Sequence, residues 1–444
     1  MVKVISSIAW SSFYKLGGIL AAFFSNVILA RLLTKEQLGV YFLTFSLVMF
    51  LAIIMRLGSK QTTLKTVTWA RNHRIRISSL VTKILLLSLT STLAVALVLV
   101  SGLGGWVAEE VFHSTDMSRN MLLIVVWAVM VSLAAPIGES LRALHFPGWG
   151  AAMDMSLCNI LVILVLIGLY IAKYEIDYSG LLIIWVVVVT TINILAIGKL
   201  FKEASSFDGL AGKNSLNKKI RMALFQGAFP VFILNISTYL LVNASLWAVG
   251  NSLGHEEAAI YGAVIKLYNI LALPLLVINM GLEPYMADML FSGQKKRLMH
   301  ILKMSASVGL SITLAVSLVF VVFGEQILEL TYGGGFGEGY SSLVVILLGN
   351  IVNVWTGSCA SLLIISSKER ILAVLYVVGA TSCIIVVILF IRRVGITGVA
   401  GVVGLSIALI NLAVWFVVRQ SIGIDTSAYL NPLRLRETMK TINA

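Results

Sequence analysis

Apolar runs of about twenty residues, separated by short polar loops, follow one another from residue 10 to residue 418. A hydrocarbon layer ~30 Å thick takes ~20 apolar residues per helix, so each run predicts one membrane crossing. The runs lie at 10–32, 38–57, 80–101, 119–138, 150–172 and 180–200, and then at 222–249, 258–282, 304–324, 341–365, 371–391 and 396–418. Only the stretch from Lys202 to Arg221 is polar and basic for long enough to divide them. It separates an N-terminal half, 1–201, from a second half, 222–419, with a linker at 202–221 and a tail at 420–444. The expectation is an all-α integral membrane protein of about twelve transmembrane helices, six in each half. Pro136, Pro230 and Pro274 fall inside runs and predict kinks.

Charge placement orients the runs. With both termini on the cytoplasmic side, 25 of the 33 Lys and Arg residues fall in cytoplasmic loops and 6 in outer ones. Basic loops stay inside, so this imbalance predicts that orientation. Lys15 and Lys266 are the two left within runs. An even number of crossings per half makes the halves run in the same direction. Faint internal matches agree: Glu36 to Tyr41 opens the second run as Glu257 to Tyr261 opens the eighth, and Gly180 precedes Ile192-Asn193 as Gly398 precedes Ile410-Asn411. Parallel repeats of this kind suit alternating access.

Composition removes other classes. The chain is 59% hydrophobic and 12% charged, with mean hydropathy +0.98, whereas soluble domains carry about a quarter charged residues. The net charge of +13 is explained by the inner loops and needs no nucleic acid. Cys158, Cys359 and Cys383 lie singly in apolar runs, which argues against metal or thiol chemistry. The sequence from His255 to Ala259 lacks the second histidine of a zinc helix. The glycines at 333–335 and 337 have no Lys-Ser/Thr after them and so make no phosphate loop. The expectation is a transporter rather than an enzyme, with no cofactor beyond a coupling H+ or Na+.

The run from Asn26 to Tyr41, with Ala30-Arg31-Leu32-Leu33 ending one helix and Gly39-Val40-Tyr41 starting the next, resembles the polysaccharide transporter and oligosaccharide flippase family. Leu57-Gly58 closing the second run and a glycine-rich outer loop from Tyr332 to Tyr340 resemble it too, although Gly333-Gly334-Gly335-Phe336-Gly337 is richer in glycine than is usual there. The resemblance implies the multidrug/oligosaccharidyl-lipid/polysaccharide exporter superfamily, with two six-helix lobes around a central cavity. It also implies an oligosaccharide joined through pyrophosphate to a polyprenol as substrate, in a bacterial cytoplasmic (inner) membrane. Membrane lipids and the polysaccharide polymerase machinery of O-antigen-type assembly are the implied partners.

Charges inside runs are the best candidates for function, because each costs about 2.5–3.5 kcal/mol at a helix centre. Lys266 and Lys15 are read as cavity-facing cations for the pyrophosphate, with snorkelling or an internal partner as the plainer alternative. Arg31 at the outer end of the first run and Arg56 at the inner end of the second are candidate phosphate contacts or interfacial anchors. Asp154, Glu139 and Glu283 are candidate ion-coupling carboxylates; Asp154 and Arg142 could equally form a structural lock. Asn235, Tyr239 and Asn243, spaced by four, share one helical face suited to sugar hydroxyls or to helix–helix bonding. The expected function is flipping of the lipid-linked oligosaccharide from the inner to the outer leaflet by alternating access. A cation-coupled multidrug antiporter of the same superfamily and a non-transporting membrane scaffold are the alternatives.

Overall fold

The computed structural model describes residues 2–73, 75–208 and 228–429. The linker expected at 202–221 lies outside these residues from 209 onward, and the tail expected at 420–444 from 430 onward. The chain forms two compact units, Met1–Ile236 and Ser237–Ala444. Helices α1 (Val2–Leu32), α2 (Lys35–Arg56), α3 (Ser59–Asn72), α4 (Ile77–Val98), α5 (Met121–Ala143), α6 (Leu157–Ile171) and α7 (Tyr178–Asp208) build the first unit. Helix α8 (Ala228–Leu253) contains the boundary. It is followed by α9 (His255–Leu271), α10 (Leu273–Phe291), α11 (Lys295–Tyr332), α12 (Tyr340–Thr356), α13 (Cys359–Ile365) and α14 (Glu369–Ile422). No strand occurs among the described residues.

Ten described stretches are helical, long and apolar enough to cross a membrane, and α9 with α10, bent by 40° at the break at Ala272, makes an eleventh. Helix α14 has 54 residues, and at ~1.5 Å per residue it is more than twice as long as a hydrocarbon layer is thick. Gly395 breaks it, with φ 59° and ψ −166°, so it supplies two crossings. Counted that way, the described crossings number twelve, as the apolar runs predict. Pro136 sits within α5 without ending it, and Pro230 lies within the described part of α8.

Local sequence explains the junctions. Thr34 Oγ1 accepts from Gln37 N at 3.2 Å while Gln37 Oε1 accepts from Thr34 N at 3.1 Å, a reciprocal cap that starts α2. Asp208 at the end of α7 accepts from Ile77 N at 2.6 Å and Ser78 N at 3.2 Å, placing a carboxylate on the N-terminus of α4. Between them lies an aromatic core. Trp127 and Trp185 stack at 5.0 Å, Phe45 sets its edge against both, and the Tyr178 hydroxyl pairs with Thr44 at 2.6 Å.

In the second unit, α12 and α14 approach until their backbones touch. A Cβ on Gly349 would collide with the carbonyl oxygen and Cα of Gly404. The run expected at 341–365 is broken at Gly357, where φ is 69° and a side chain would meet Thr426 O. An extended strap, 423–429, seats in that break. Thr426 Oγ1 donates to Thr356 O at 2.6 Å, Ala428 N to Trp355 O at 2.8 Å, and Tyr429 N to Ser307 Oγ at 2.8 Å. Asp425 anchors the strap by accepting from Lys303 Nζ at 2.6 Å, Trp415 Nε1 at 2.9 Å and the Ser427 hydroxyl at 2.8 Å. Burial pushes the Asp425 carboxyl up, but the hydrogen bonds from Lys303, Trp415 and Ser427 outweigh it and hold the group well below the usual carboxylate range.

Two outcomes are expected. Gly349→Val should lower the melting temperature of the purified protein through overpacking of roughly 1–3 kcal/mol or more. Gly401→Ala on the same seam should leave it unchanged, since its Cβ would sit 3.4 Å from Val345 in ordinary contact. Because the folded pKa of Asp425 is depressed, its stabilisation is fully present above the unfolded value of about 4 and is lost as pH falls through the folded value. The melting-temperature gap between wild type and Asp425→Asn should therefore be constant above about pH 5 and shrink below about pH 4.

Candidate functional site

The first unit gathers charge at one end of its helices. After α2 the chain reverses through Leu57 and Gly58, both left-handed at φ 46° and 75°, and enters α3. The reversal sets Lys60, in the first turn of α3, beside the last turn of α5. Glu139 and Arg142 lie there one turn apart. Between α5 and α6 come a short helix, Pro147–Ala151, and a wide turn, Ala152–Ser156, inside which Asp154 (ψ 41°) and Met155 (φ 67°) leave helical geometry. A left-handed methionine costs roughly 1–2 kcal/mol. Here it accompanies an Asp154 carboxylate aimed at two cations.

Two glycines allow the approach. A Cβ on Gly138 would sit 2.8 Å from Met153 Cβ, and one on Gly150 would sit 2.8 Å from Arg142 Nε. The ion pairs are short and shared. Lys60 Nζ lies 2.7 Å from Asp154 Oδ1, and Arg142 Nη2 lies 3.0 Å from Asp154 Oδ2. Arg142 Nη1 holds Glu139 Oε1 at 2.9 Å, with Lys60 Nζ at 3.9 Å from the same oxygen. The Glu139 side chain is 4% exposed, and its second oxygen, Oε2, is buried with no hydrogen-bond partner. Arg56 completes the group. Its Nη2 donates to Val131 O at 3.5 Å, its Nε is buried without a partner, and it interacts electrostatically with Asp154 and Glu139.

Three cations thus face two carboxylates among apolar helices. Unbalanced charge in such surroundings is costly unless a counter-ion completes it, and guanidinium forks match carboxylate and phosphate oxygens. The arrangement can receive an anion. Next to it, a cavity of about 340 Å³ is lined by Tyr14, His145, Phe146, Trp149 and Leu157, and Lys199 packs over the Phe146 ring at 4.6 Å while pairing with Glu203.

Of the residues the sequence singled out, the fold brings Arg56, Glu139 and Asp154 together, with Arg142 between the two carboxylates. Lys15 is half-buried on α1 and makes no hydrogen bond or ion pair among the described residues. Arg31 is exposed in the last turn of α1. Lys266 is half-buried on α9 between buried Ile265 and Leu267. On α8, Asn235 is exposed, and Asn243 turns its amide back to Tyr239 O at 3.1 Å, along its own helix. Glu283, exposed on α10, accepts from Ser361 Oγ at 3.1 Å. Lys60 was not foreseen. Its segment reads as a basic inner loop, and the one signal for its role is the Leu57-Gly58 pair, which turns a loop into a second helix packed against α5.

The sequence pattern of a family described as polysaccharide biosynthesis protein matches residues 4–290. No curated protein matches the chain. Among solved structures, an inward-facing multidrug resistance MATE family transporter of the MOP superfamily is similar with a TM-score of 0.69 at 14% identity, over 91% of this chain and 94% of its own. The lipid II flippase MurJ, in an inward closed conformation, has a TM-score of 0.67 at 16% identity over 92% and 87% of the two chains. A MOP superfamily transporter from Pyrococcus furiosus, described as having a binding pocket of reversed polarity, has a TM-score of 0.63 at 14% identity over 94% and 95%. At these identities the likeness is one of fold. The sequence match spans more than half of the residues, and the chain therefore belongs to the polysaccharide biosynthesis protein family, a membrane protein with the helical architecture of MATE-like transporters.

Proposed function

We propose that this protein flips polyprenyl-pyrophosphate-linked oligosaccharide from the cytoplasmic to the outer leaflet of a bacterial inner membrane, by alternating access and with both termini cytoplasmic. The observation that carries the reading is the excess of cations over carboxylates in the cluster of Arg56, Lys60, Glu139, Arg142 and Asp154. A pyrophosphate is doubly negative and binds such a group, whereas a cationic drug would be repelled by it. Membership of a polysaccharide biosynthesis family and the MurJ-like fold support the same substrate class. Lys15, Lys266 and Arg31 are further stations for the phosphates, and Asn235, Tyr239 and Asn243 are contacts for the sugars. Glu139, Asp154 and Glu283 are the carboxylates through which a coupling H+ or Na+ would act. The product would feed polymerase machinery for O-antigen-type surface polysaccharide.

The test is complementation of a deletion strain, reading surface polysaccharide and matched for protein level in the membrane. Lys60→Ala and Arg142→Ala should each reduce export about tenfold, because a hydrogen bond to a charged group contributes roughly 1.5–3 kcal/mol. Lys60→Arg should restore most of it. Lys266→Ala should be defective and Lys266→Arg rescued. Full export by Lys60→Ala and Arg142→Ala, together with drug sensitivity in the deletion strain, would replace this reading with the antiporter.

A further inference from the structure

Asp154 occupies the cations as an anionic ligand would. Its two oxygens are split between Lys60 and Arg142, at 2.7 and 3.0 Å, which is how a phosphate bridges two basic side chains. It reaches them from a turn that is not helical at Asp154 and is left-handed at Met155, between α5 and the regular helix α6. Those two ion pairs are the interactions that hold the Asp154 side chain in place.

The same cluster has one acceptor and one donor to spare. Glu139 Oε2 and Arg56 Nε are both buried without partners, and a buried polar atom left in that state asks for a ligand group. The charge count points the same way. With Asp154 in place the three cations exceed the two carboxylates by one, while with a doubly charged diphosphate diester in place of Asp154 the ligand and Glu139 together balance the three cations. A diphosphate diester has no P–OH with which to satisfy Glu139 Oε2. A hydroxyl of the sugar attached to it does.

We propose that Asp154 is a placeholder for the substrate: a glycosyl diphosphate displaces it from Lys60 and Arg142, its phosphate oxygens also take Arg56 Nε, and Glu139 Oε2 accepts a hydroxyl of the first sugar. Release of Asp154 frees the 152–156 turn to relax, so that arrival of the head group is felt by the helix break. This rests on the flippase reading and adds to it the part of the substrate that is recognised and the residue that yields to it.

The experiment is equilibrium binding of radiolabelled polyprenyl-pyrophosphoryl monosaccharide to the purified full-length protein in detergent, with sugar-free polyprenyl pyrophosphate, inorganic pyrophosphate and phosphatidic acid as competitors. Asp154→Asn and Asp154→Ala should both bind the glycolipid roughly tenfold more tightly, because the site is no longer occupied by its own carboxylate. Lys60→Ala should bind it more weakly. Glu139→Gln should weaken the glycolipid relative to sugar-free polyprenyl pyrophosphate, removing the preference for the sugar-bearing ligand. Each variant is compared by size-exclusion profile and helical circular dichroism, and the two Asp154 variants together guard against one failing to fold. Unchanged or weaker binding by both Asp154 variants, with wild type binding the glycolipid, overturns the placeholder and leaves the flippase reading standing. Competition by phosphatidic acid as strong as by the glycolipid overturns recognition of the glycosyl diphosphate. No glycolipid binding by a wild-type protein that still supports export overturns the site, and no binding together with export unaffected by deletion removes the flippase reading itself.

Discussion

An ion withdrawn from water is costly unless an opposite charge meets it, and this constraint shapes the charged cluster of the first unit. Desolvating an ion costs several kcal/mol even after relaxation, so Lys60, Arg142, Glu139 and Asp154 persist there only because each meets an opposite charge. The backbone is bent to make that possible. Leu57 and Gly58 turn left-handed to bring Lys60 in, and the turn at Asp154 and Met155 interrupts a helix to bring a carboxylate up. Replacing the whole group with packed apolar side chains would be expected to cost nothing or to stabilise.

The second unit answers the companion requirement, that backbone groups freed by a broken helix be satisfied internally. At the bend between α9 and α10, Asn350 Nδ2 donates to Leu271 O at 3.2 Å. At the break between α12 and α13, the strap supplies Thr426 to Thr356 O, while Ser358 donates to Asn279 Oδ1 at 2.5 Å. Broken crossings are where transporters of many folds bind substrates or ions, because only there do unspent polar groups reach membrane depth. The breaks at Ala272 and Gly357 are thus bridged by side chains from other segments of the same unit.

The two kinds of site differ in what they ask of a ligand. The cluster in the first unit is rich in paired cations and leaves Glu139 Oε2 and Arg56 Nε buried without hydrogen-bond partners. Lys266 in the second unit stands between buried aliphatic neighbours, and Glu283 is tied to a serine hydroxyl.

Hydropathy alone was enough to establish the helical membrane class and the crossings near their observed positions, because a ~30 Å slab imposes a length on every apolar run. The reach of the 54-residue helix was legible too, since Gly395 falls between two runs. Single residues were less legible. Glu139, Asp154 and Arg56 stood out as charges near apolar runs, but their meeting depends on a left-handed turn after α2 and an irregular turn before α6, and neither leaves a periodic trace. Lys60 was hidden among basic residues that orientation already explained. Partners in an ion-pair network lie far apart in the chain, 94 residues for Lys60 and Asp154, and are joined by packing that hydropathy does not encode. Sequence thus determined which segments leave water, and the tertiary structure decided which charges meet once they have, because pairing is set by the close approach of backbones at Gly138 and Gly150 rather than by the identity of the charged residues themselves.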